Sequence, residues 1–309
     1  MVPGLNPIEE WIQSELQILV APGPNLAPVD SRRLGDGWQS LIRLAAMEAV
    51  AELGEAGRKT FVLAEEPETY LHPHLRRRLR RSLSRLQSSG YQVAVATHAP
   101  ELISFRERQH IVRLTMTTEG ARAREYSTAS ASQALRDEEK LNERGNHEIV
   151  FANVVVLAEG KDDVCALRMG LEKTGLDCDT DSVSIVDCGG VGNLPDYARV
   201  CSQLQIPWIA VHDRDLDESG MPKQPTEVAH SALEAIKTSR DGVLTWNNDL
   251  EDAIGLRAMG ASGKASPLWI DRNHGSREWQ TLKGDATITE YIAVIDAVRR
   301  GISQALGSS

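Results

Sequence analysis

Two apolar runs in this chain end in closely spaced acidic residues, and the spacing suits divalent-cation chemistry. The first run, Val154-Val155-Val156-Leu157-Ala158, leads into Glu159-Gly160-Lys161-Asp162-Asp163. Glu159 closes a strand, Gly160 permits a tight turn, and Asp163 opens a helix with Val164, Leu167 and Leu171 on one face. Both carboxylates are then directed to the crevice beyond a strand's C-terminal end, where α/β sheets take their ligands. Asp163 also suits a helix N-terminus for structural reasons alone. The second run, Trp208-Ile209-Ala210-Val211, leads to His212-Asp213-Arg214-Asp215. In an extended segment residues two apart point to the same side, so Asp213 and Asp215 form a second acidic pair. Four crowded carboxylates repel one another unless cations neutralise them. Oxygen donors without sulfur or several histidines select Mg²⁺ or Mn²⁺ over zinc. His212 adjoins the acids and is read as a supporting or structural residue.

Two further positions carry chemistry. Asp249-Leu250-Glu251-Asp252 follows the apolar run Val243 to Trp246, with Asp249 also a plausible helix cap. Lys283, in Thr281-Leu282-Lys283-Gly284, precedes the last helical pattern and would offset charge at a pentavalent phosphorus. A surface role is the plainer reading for it, and Lys264 is a competitor.

The elements that must position these groups alternate between strand and helix. Candidate strands are 61–64, 93–96, 154–158, 183–186, 208–211 and 243–246, each an apolar run without polar alternation, as in strands buried on both faces. Between them, Leu75, Leu79, Leu83 and Leu86 share a helical face, as do Leu194, Tyr197, Cys201 and Leu204. The last helix repeats the pattern with Ile288, Tyr291, Ile292, Ile295, Val298 and Ile302. This alternation predicts an α/β fold with a mostly parallel sheet flanked by helices. The 309 residues suit two domains. We expect one over 1–117, a connection over 118–149 that is rich in Ala, Arg, Ser and Thr and then densely charged, and a second domain over 150–309.

The net charge of −10 argues against a simple phosphate-coating protein but is compatible with acids that await cations. The four cysteines form no CxxC pair and read as small buried residues. No apolar run is long enough to cross a membrane and no secretory leader is visible, so a cytoplasmic protein without membrane partners is expected.

Three features precede residue 100. Leu34-Gly35-Asp36-Gly37-Trp38-Gln39-Ser40-Leu41 is a glycine turn feeding a helix, an arrangement that offers backbone N–H groups to an anion. Phe61 to Ala64 ends in Glu65-Glu66-Pro67-Glu68, and Val93 to Ala96 ends in Thr97-His98. Their order and spacing resemble the C-terminal part of an ABC-type ATPase head. That resemblance makes Gly35, Gly37, Gln39 and Ser40 the signature element, Glu65 and Glu66 the Walker B acids, Pro67 to Leu71 the D-loop and His98 the switch histidine. No GxxxxGK[ST] phosphate loop occurs in the sequence. ATP is therefore expected only where further ATPase residues are supplied, by an N-terminal region of a complete protein or by another chain. Arg76, Arg77 and Arg80, in an arginine-rich stretch, are candidate nucleic-acid contacts, with a solvated helix face as the plain alternative.

Strand–EGxxD–helix followed by strand–DxD is similar to the Toprim domain, with Gly189, Gly190 and Gly192 matching its intervening loop. Toprim nucleases place a further carboxylate near Asp249 to Asp252; Glu251 is the preferred residue, with Asp252 or Asp249 as substitutes. An ABC-type segment followed by Toprim resembles the OLD (overcoming lysogenization defect) family of bacterial and phage-related nucleases. The resemblance implies a cytoplasmic, bacterial, metal-dependent DNA endonuclease, with exonuclease activity as an extension and a homodimer as a candidate assembly. It implies two Mg²⁺ or Mn²⁺ ions, with Ca²⁺ as an alternative. Glu159, Asp213 and the candidate Asp215 would hold the ion that activates water. Asp163 and Glu251 would hold the ion at the leaving oxygen. Glu159, Asp213 and Lys283 are the expected catalytic residues. The alternatives are a DNA-binding or dimerisation module with a structural metal, and a topoisomerase- or primase-like Toprim enzyme. No tyrosine lies in an obvious nucleophile-bearing segment and no zinc module is visible, which disfavours the last two.

Overall fold

The computed structural model describes residues 19–21, 27–53, 61–104, 110–117, 120–126, 136, 139–141, 146–254 and 289–307. The chain divides into two compact units, Met1–Ile103 and Ser104–Ser309.

In the first unit, β1 (Leu19–Val20) pairs antiparallel with β2 (Val29–Asp30), and α1 (Asp36–Leu53) follows. Next come β3 (Phe61–Glu65), α2 (Pro73–Ser88) and β4 (Gln92–Ala96). β3 and β4 are parallel, in register from Phe61 beside Gln92 to Glu65 beside Ala96. The leucine spacing of α2 does what it predicts: Leu79, Leu83 and Leu86 are buried and pack with Leu71, Val93 and Val95. Among the described residues nothing covers the opposite side of β3, where Phe61 is 67% and Leu63 77% exposed.

The second unit opens with an antiparallel hairpin of β5 (Val112–Thr117) and β6 (Gly120–Glu125). β6 was not foreseen, because Gly120 to Glu125 lacks the apolar alternation of a half-buried strand and reads as a connection. The main sheet comprises β7 (Val154–Ala158), β8 (Val183–Asp187), β9 (Trp208–Asp213) and β10 (Gly242–Trp246). Its order is β10-β9-β7-β8, all parallel, so β7 and β9 are interior. Each crossover carries a helix: α3 (Lys161–Lys173), α4 (Leu194–Gln203) and α5 (Gln224–Ile236). A short α6 (Leu250–Ala253) and the long α7 (Thr289–Gly307) follow β10. Helices on both faces explain the unbroken apolar runs. All five residues of β7 are fully buried, and α7 adds Tyr291, Ile295, Val298 and Ile302 to the core.

α3 and α7 approach closely at Gly170. A Cβ built there would lie 2.6 Å from the Ile295 side chain and 2.7 Å from the Tyr291 hydroxyl. That hydroxyl donates to the Ala166 carbonyl at 2.7 Å, so it is not free to yield. Gly170→Ala is expected to destabilise by up to about 2 kcal/mol, because an overpacking cost of roughly 1–3 kcal/mol outweighs the ~1 kcal/mol gain in helix propensity. Chemical denaturation checks this, and stability equal to the parent would refute the close-approach argument.

Candidate metal centre

The register of the parallel sheet brings the C-terminal ends of β7, β9 and β10 side by side: Ala158 lies beside Val211, and Asp213 beside Trp246. Glu159 follows β7 directly, Asp213 ends β9, and Asp163 sits in the first turn of α3. These are the acids expected from the sequence, and the fold brings them together. The Asp213 amide donates to Glu159 Oε2 at 3.3 Å. Asp163 is 7% exposed; its Oδ2 accepts the Gly160 amide at 3.1 Å and its Oδ1 accepts Trp246 Nε1 at 3.1 Å. Asp213 Oδ1 accepts the Leu250 amide at 3.1 Å, at the start of α6.

The glycine loop after β8 closes one side. Gly189 and Gly190 have φ of 76° and 121°, a region that favours glycine, and the Gly190 amide donates to the Glu159 carbonyl at 2.8 Å. Asn193 holds this loop through the Cys188 and Gly189 carbonyls at 3.0 and 3.2 Å.

The electrostatics are those of acids forced together. Burial pushes Asp213 up to about 9, assisted by the charges of Asp163, Glu159, Asp249 and Asp215. Burial pushes Asp163 up to about 7, opposed by its bond from Trp246 and reinforced by Glu159. A hard divalent cation is the partner that would let such carboxylates ionise, so the donor set fits Mg²⁺ or Mn²⁺. Among the described residues, no three His, Cys, Asp or Glu side chains already stand in a metal-binding arrangement.

Asp215 differs from the expectation of strand alternation. Its φ of 47° is left-handed, so the backbone is not extended there. Its amide donates to Asn248 O at 3.1 Å, and its carboxylate meets Lys223 Nζ at 3.5 Å and Thr226 Oγ1 at 3.4 Å. Asp215 still contributes negative charge to Asp213, but it reaches the neighbourhood by a turn. Asp249 caps α6, accepting the Asp252 amide at 2.9 Å, and also adds charge at Asp213. Glu251 lies partly buried in α6. Lys283 and Lys264 lie outside the described residues.

Two supporting groups frame these acids, and of them the sequence points only to His212. In the sequence Trp246 shows only as the end of a strand, although a tryptophan at a sheet's C-terminal edge has one N–H to place. His212 is buried at 1% exposure. Its Nδ1 lies 2.7 Å from the Asp213 carbonyl and must carry a proton, and burial lowers its pKa and so favours the neutral ring, in which Nε2 accepts from His230 Nδ1 at 3.1 Å. The pair thus braces the Asp213 backbone.

In the first unit, Ser40 is buried and donates to the Thr69 carbonyl at 2.8 Å, while Gln39 Nε2 donates to Leu34 O at 3.1 Å. Gly35 precedes α1 and Gly37 lies in its first turn. Glu65 ends β3, and Glu66 (φ 44°) meets His98 Nε2 at 3.4 Å. Arg76 turns to Leu71 O at 3.0 Å and Glu101 at 3.6 Å, and Arg80 reaches Ile103 O at 3.4 Å. Arg77 remains exposed.

Residues 150–215 match the family described as overcoming lysogenization defect protein-like, TOPRIM domain. Residues 23–104 match the family described as AAA domain, putative AbiEii toxin, Type IV TA system. The chain is 32% identical over 210 residues to the OLD nuclease of Thermus scotoductus, covering 63% of this chain and 39% of that protein. It is 27% identical over 199 residues to the Old nuclease of Escherichia phage P2, covering 60% and 34%. These matches span little more than a third of the relatives' length. A solved C-terminal region of the Burkholderia pseudomallei OLD protein is 16% identical with a TM-score of 0.32, covering 51% of this chain and 96% of that one. The sequence matches make this chain a homologue of the OLD nucleases that joins an AAA-type segment to an OLD-like Toprim domain.

Proposed function

We propose that the second unit is a divalent-cation-dependent phosphodiesterase site acting on DNA as an endonuclease. The observation that carries this reading is the crowding of Glu159, Asp163 and Asp213 at adjacent strand ends, where burial and mutual repulsion raise Asp213 to about 9. Such a cluster is unfavourable without a cation, and nuclease relatives at 32% and 27% identity supply the substrate class. Two Mg²⁺ or Mn²⁺ ions bound there would supply a lowered water pKa and Lewis acidity at the phosphate. Glu159 and Asp213, the latter fixed through Leu250 and the His212 bridge, form one side of the site. Asp163, oriented by Trp246, forms the other. With Asp215 as the fourth acid, the fifth comes from the segment that follows β10, as Glu251 in α6 or, in its place, Asp252 or the capping Asp249, whose charge already acts on Asp213. Lys283 keeps its proposed charge-offsetting role.

The first unit is proposed to act within a larger ATPase body. Parallel strands are ordinarily covered on both faces, yet Phe61 and Leu63 are exposed on β3, and the sequence has no phosphate loop. ATP is assigned to that larger body rather than to this segment alone.

Incubation of supercoiled plasmid with the protein in Mg²⁺, Mn²⁺ or EDTA tests the nuclease reading. Nicked and linear products in the metal lanes alone are expected. Intact plasmid with folded protein in every lane would overturn it for this chain.

A further inference from the structure

We propose that α2 of the first unit is a second DNA-contact surface, separate from the metal centre, which grips the duplex phosphate backbone through Arg77, Arg81 and Arg85. This goes beyond the phosphodiesterase reading and does not require it.

The helix Pro73–Ser88 contains six arginines and no acidic residue, in a chain whose net charge is −10. An amphipathic surface helix normally mixes signs, because like charges at i, i+4 spacing repel. The structure divides five of the six by role; the sixth, Arg78, is exposed and lies off the stripe described below. The buried face of Leu79, Leu83 and Leu86 fixes the orientation of the helix. Arg76 and Arg80 flank that face and bond to Leu71, Glu101 and Ile103 within the unit. Arg77, Arg81 and Arg85 are exposed, at successive four-residue steps along one stripe. Arg77 also donates to His74 Nδ1 at 2.6 Å, which orients it at the N-terminal end of the stripe.

The three Cα positions span about 12 Å at 1.5 Å per residue, and one strand of duplex presents about four phosphates over that axial length. All the cations are arginines, whose planar guanidinium matches phosphate oxygens two at a time, so a lysine-like solubilising role is a poorer fit. An acidic protein that binds a polyanion needs a locally basic face, and this helix supplies one. The stripe differs from the residues suggested by the sequence, because of Arg76, Arg77 and Arg80 only Arg77 lies on it.

The test is duplex binding followed by fluorescence anisotropy in EDTA across a series of salt concentrations, with the parent and an Arg77→Gln/Arg81→Gln/Arg85→Gln variant. An Arg299→Gln/Arg300→Gln variant, altered at two exposed positions on α7, controls for net charge. The triple variant is expected to bind more weakly and to flatten the slope of log affinity against log salt by about 2–3, near 0.9 for each lost phosphate contact. The control should keep the parent's slope. An unchanged slope in the triple variant, an equal loss in the control, or no duplex binding by the parent at low salt would each overturn the proposal. EDTA removes every metal-dependent step, so failure here leaves the metal-centre reading to the plasmid assay, and failure there leaves this one standing.

Discussion

Replacing Glu159 with Gln or Asp213 with Asn is expected to lower metal-dependent plasmid cleavage by about 10³-fold or more, with the fold retained. The magnitude follows from removing a cation-binding carboxylate at the reacting centre, where electrostatic stabilisation of a developing phosphorane is worth several kcal/mol. Both changes are isosteric. Asn keeps an oxygen to accept the Leu250 amide, as Asp213 Oδ1 does at 3.1 Å, and Gln keeps one for the Asp213 amide. Lost activity therefore reports lost charge rather than lost packing. The same assay ranks the fifth acid: the largest defect among Asp249→Asn, Glu251→Gln and Asp252→Asn identifies it. Cleavage within tenfold of the parent in both the Glu159 and Asp213 variants would remove these residues from the mechanism.

The second large effect is a stability that depends on pH and metal together. In the cation-free protein Asp213 sits at about 9, against ~3.9 for an unfolded aspartate. The folded state thus holds its proton more tightly than the unfolded chain between these values. Its stabilising contribution is complete below pH ~4, declines as pH rises, and is exhausted above about 9. Asp163, raised to about 7, adds to the same trend over a narrower window. A cation that requires the carboxylate form must displace the proton, so its affinity should rise on the order of tenfold per pH unit for each proton released, levelling off near 9. The melting temperature of the EDTA-treated protein should therefore fall from pH 6 to pH 8.5. The increment produced by Mn²⁺ should grow over the same interval. Metal-free Asp213→Asn should melt above the parent at pH 8.5 and show a shallower pH trend. A metal increment independent of pH would contradict the crowded-acid account.

Much of this site was legible in the sequence because its chemistry is attached to strand ends. Glu159, Asp163 and Asp213 each stand at a fixed offset from an apolar run, and a fully buried parallel strand leaves little freedom in where its last residue lies. Asp215 was harder, since its place depends on a left-handed backbone that alternation does not foresee. Trp246 as the donor to Asp163, and Asp249 as a charge on Asp213, required the β9–β10 register, which pairs residues 33 positions apart and has no local signal. The arginine stripe needed the packing of α2, since six neighbouring arginines do not declare which of them bond inward. The hairpin strand β6 was missed because Ala121 to Arg124 alternates alanine with arginine and reads as a solvated connection. The sequence pattern of β3 likewise looks like an interior strand, and only its exposed Phe61 and Leu63 reveal a face left open among the described residues.

The central claim is that the strand-end carboxylates hold catalytic divalent ions, and counting Mn²⁺ by electron paramagnetic resonance tests it most directly. Free Mn²⁺ is titrated against the parent and against Glu159→Gln and Asp213→Asn at pH 8. The account predicts two bound ions per parent chain and at least one fewer in each variant. Equal binding in all three proteins, or none in the parent, would contradict it.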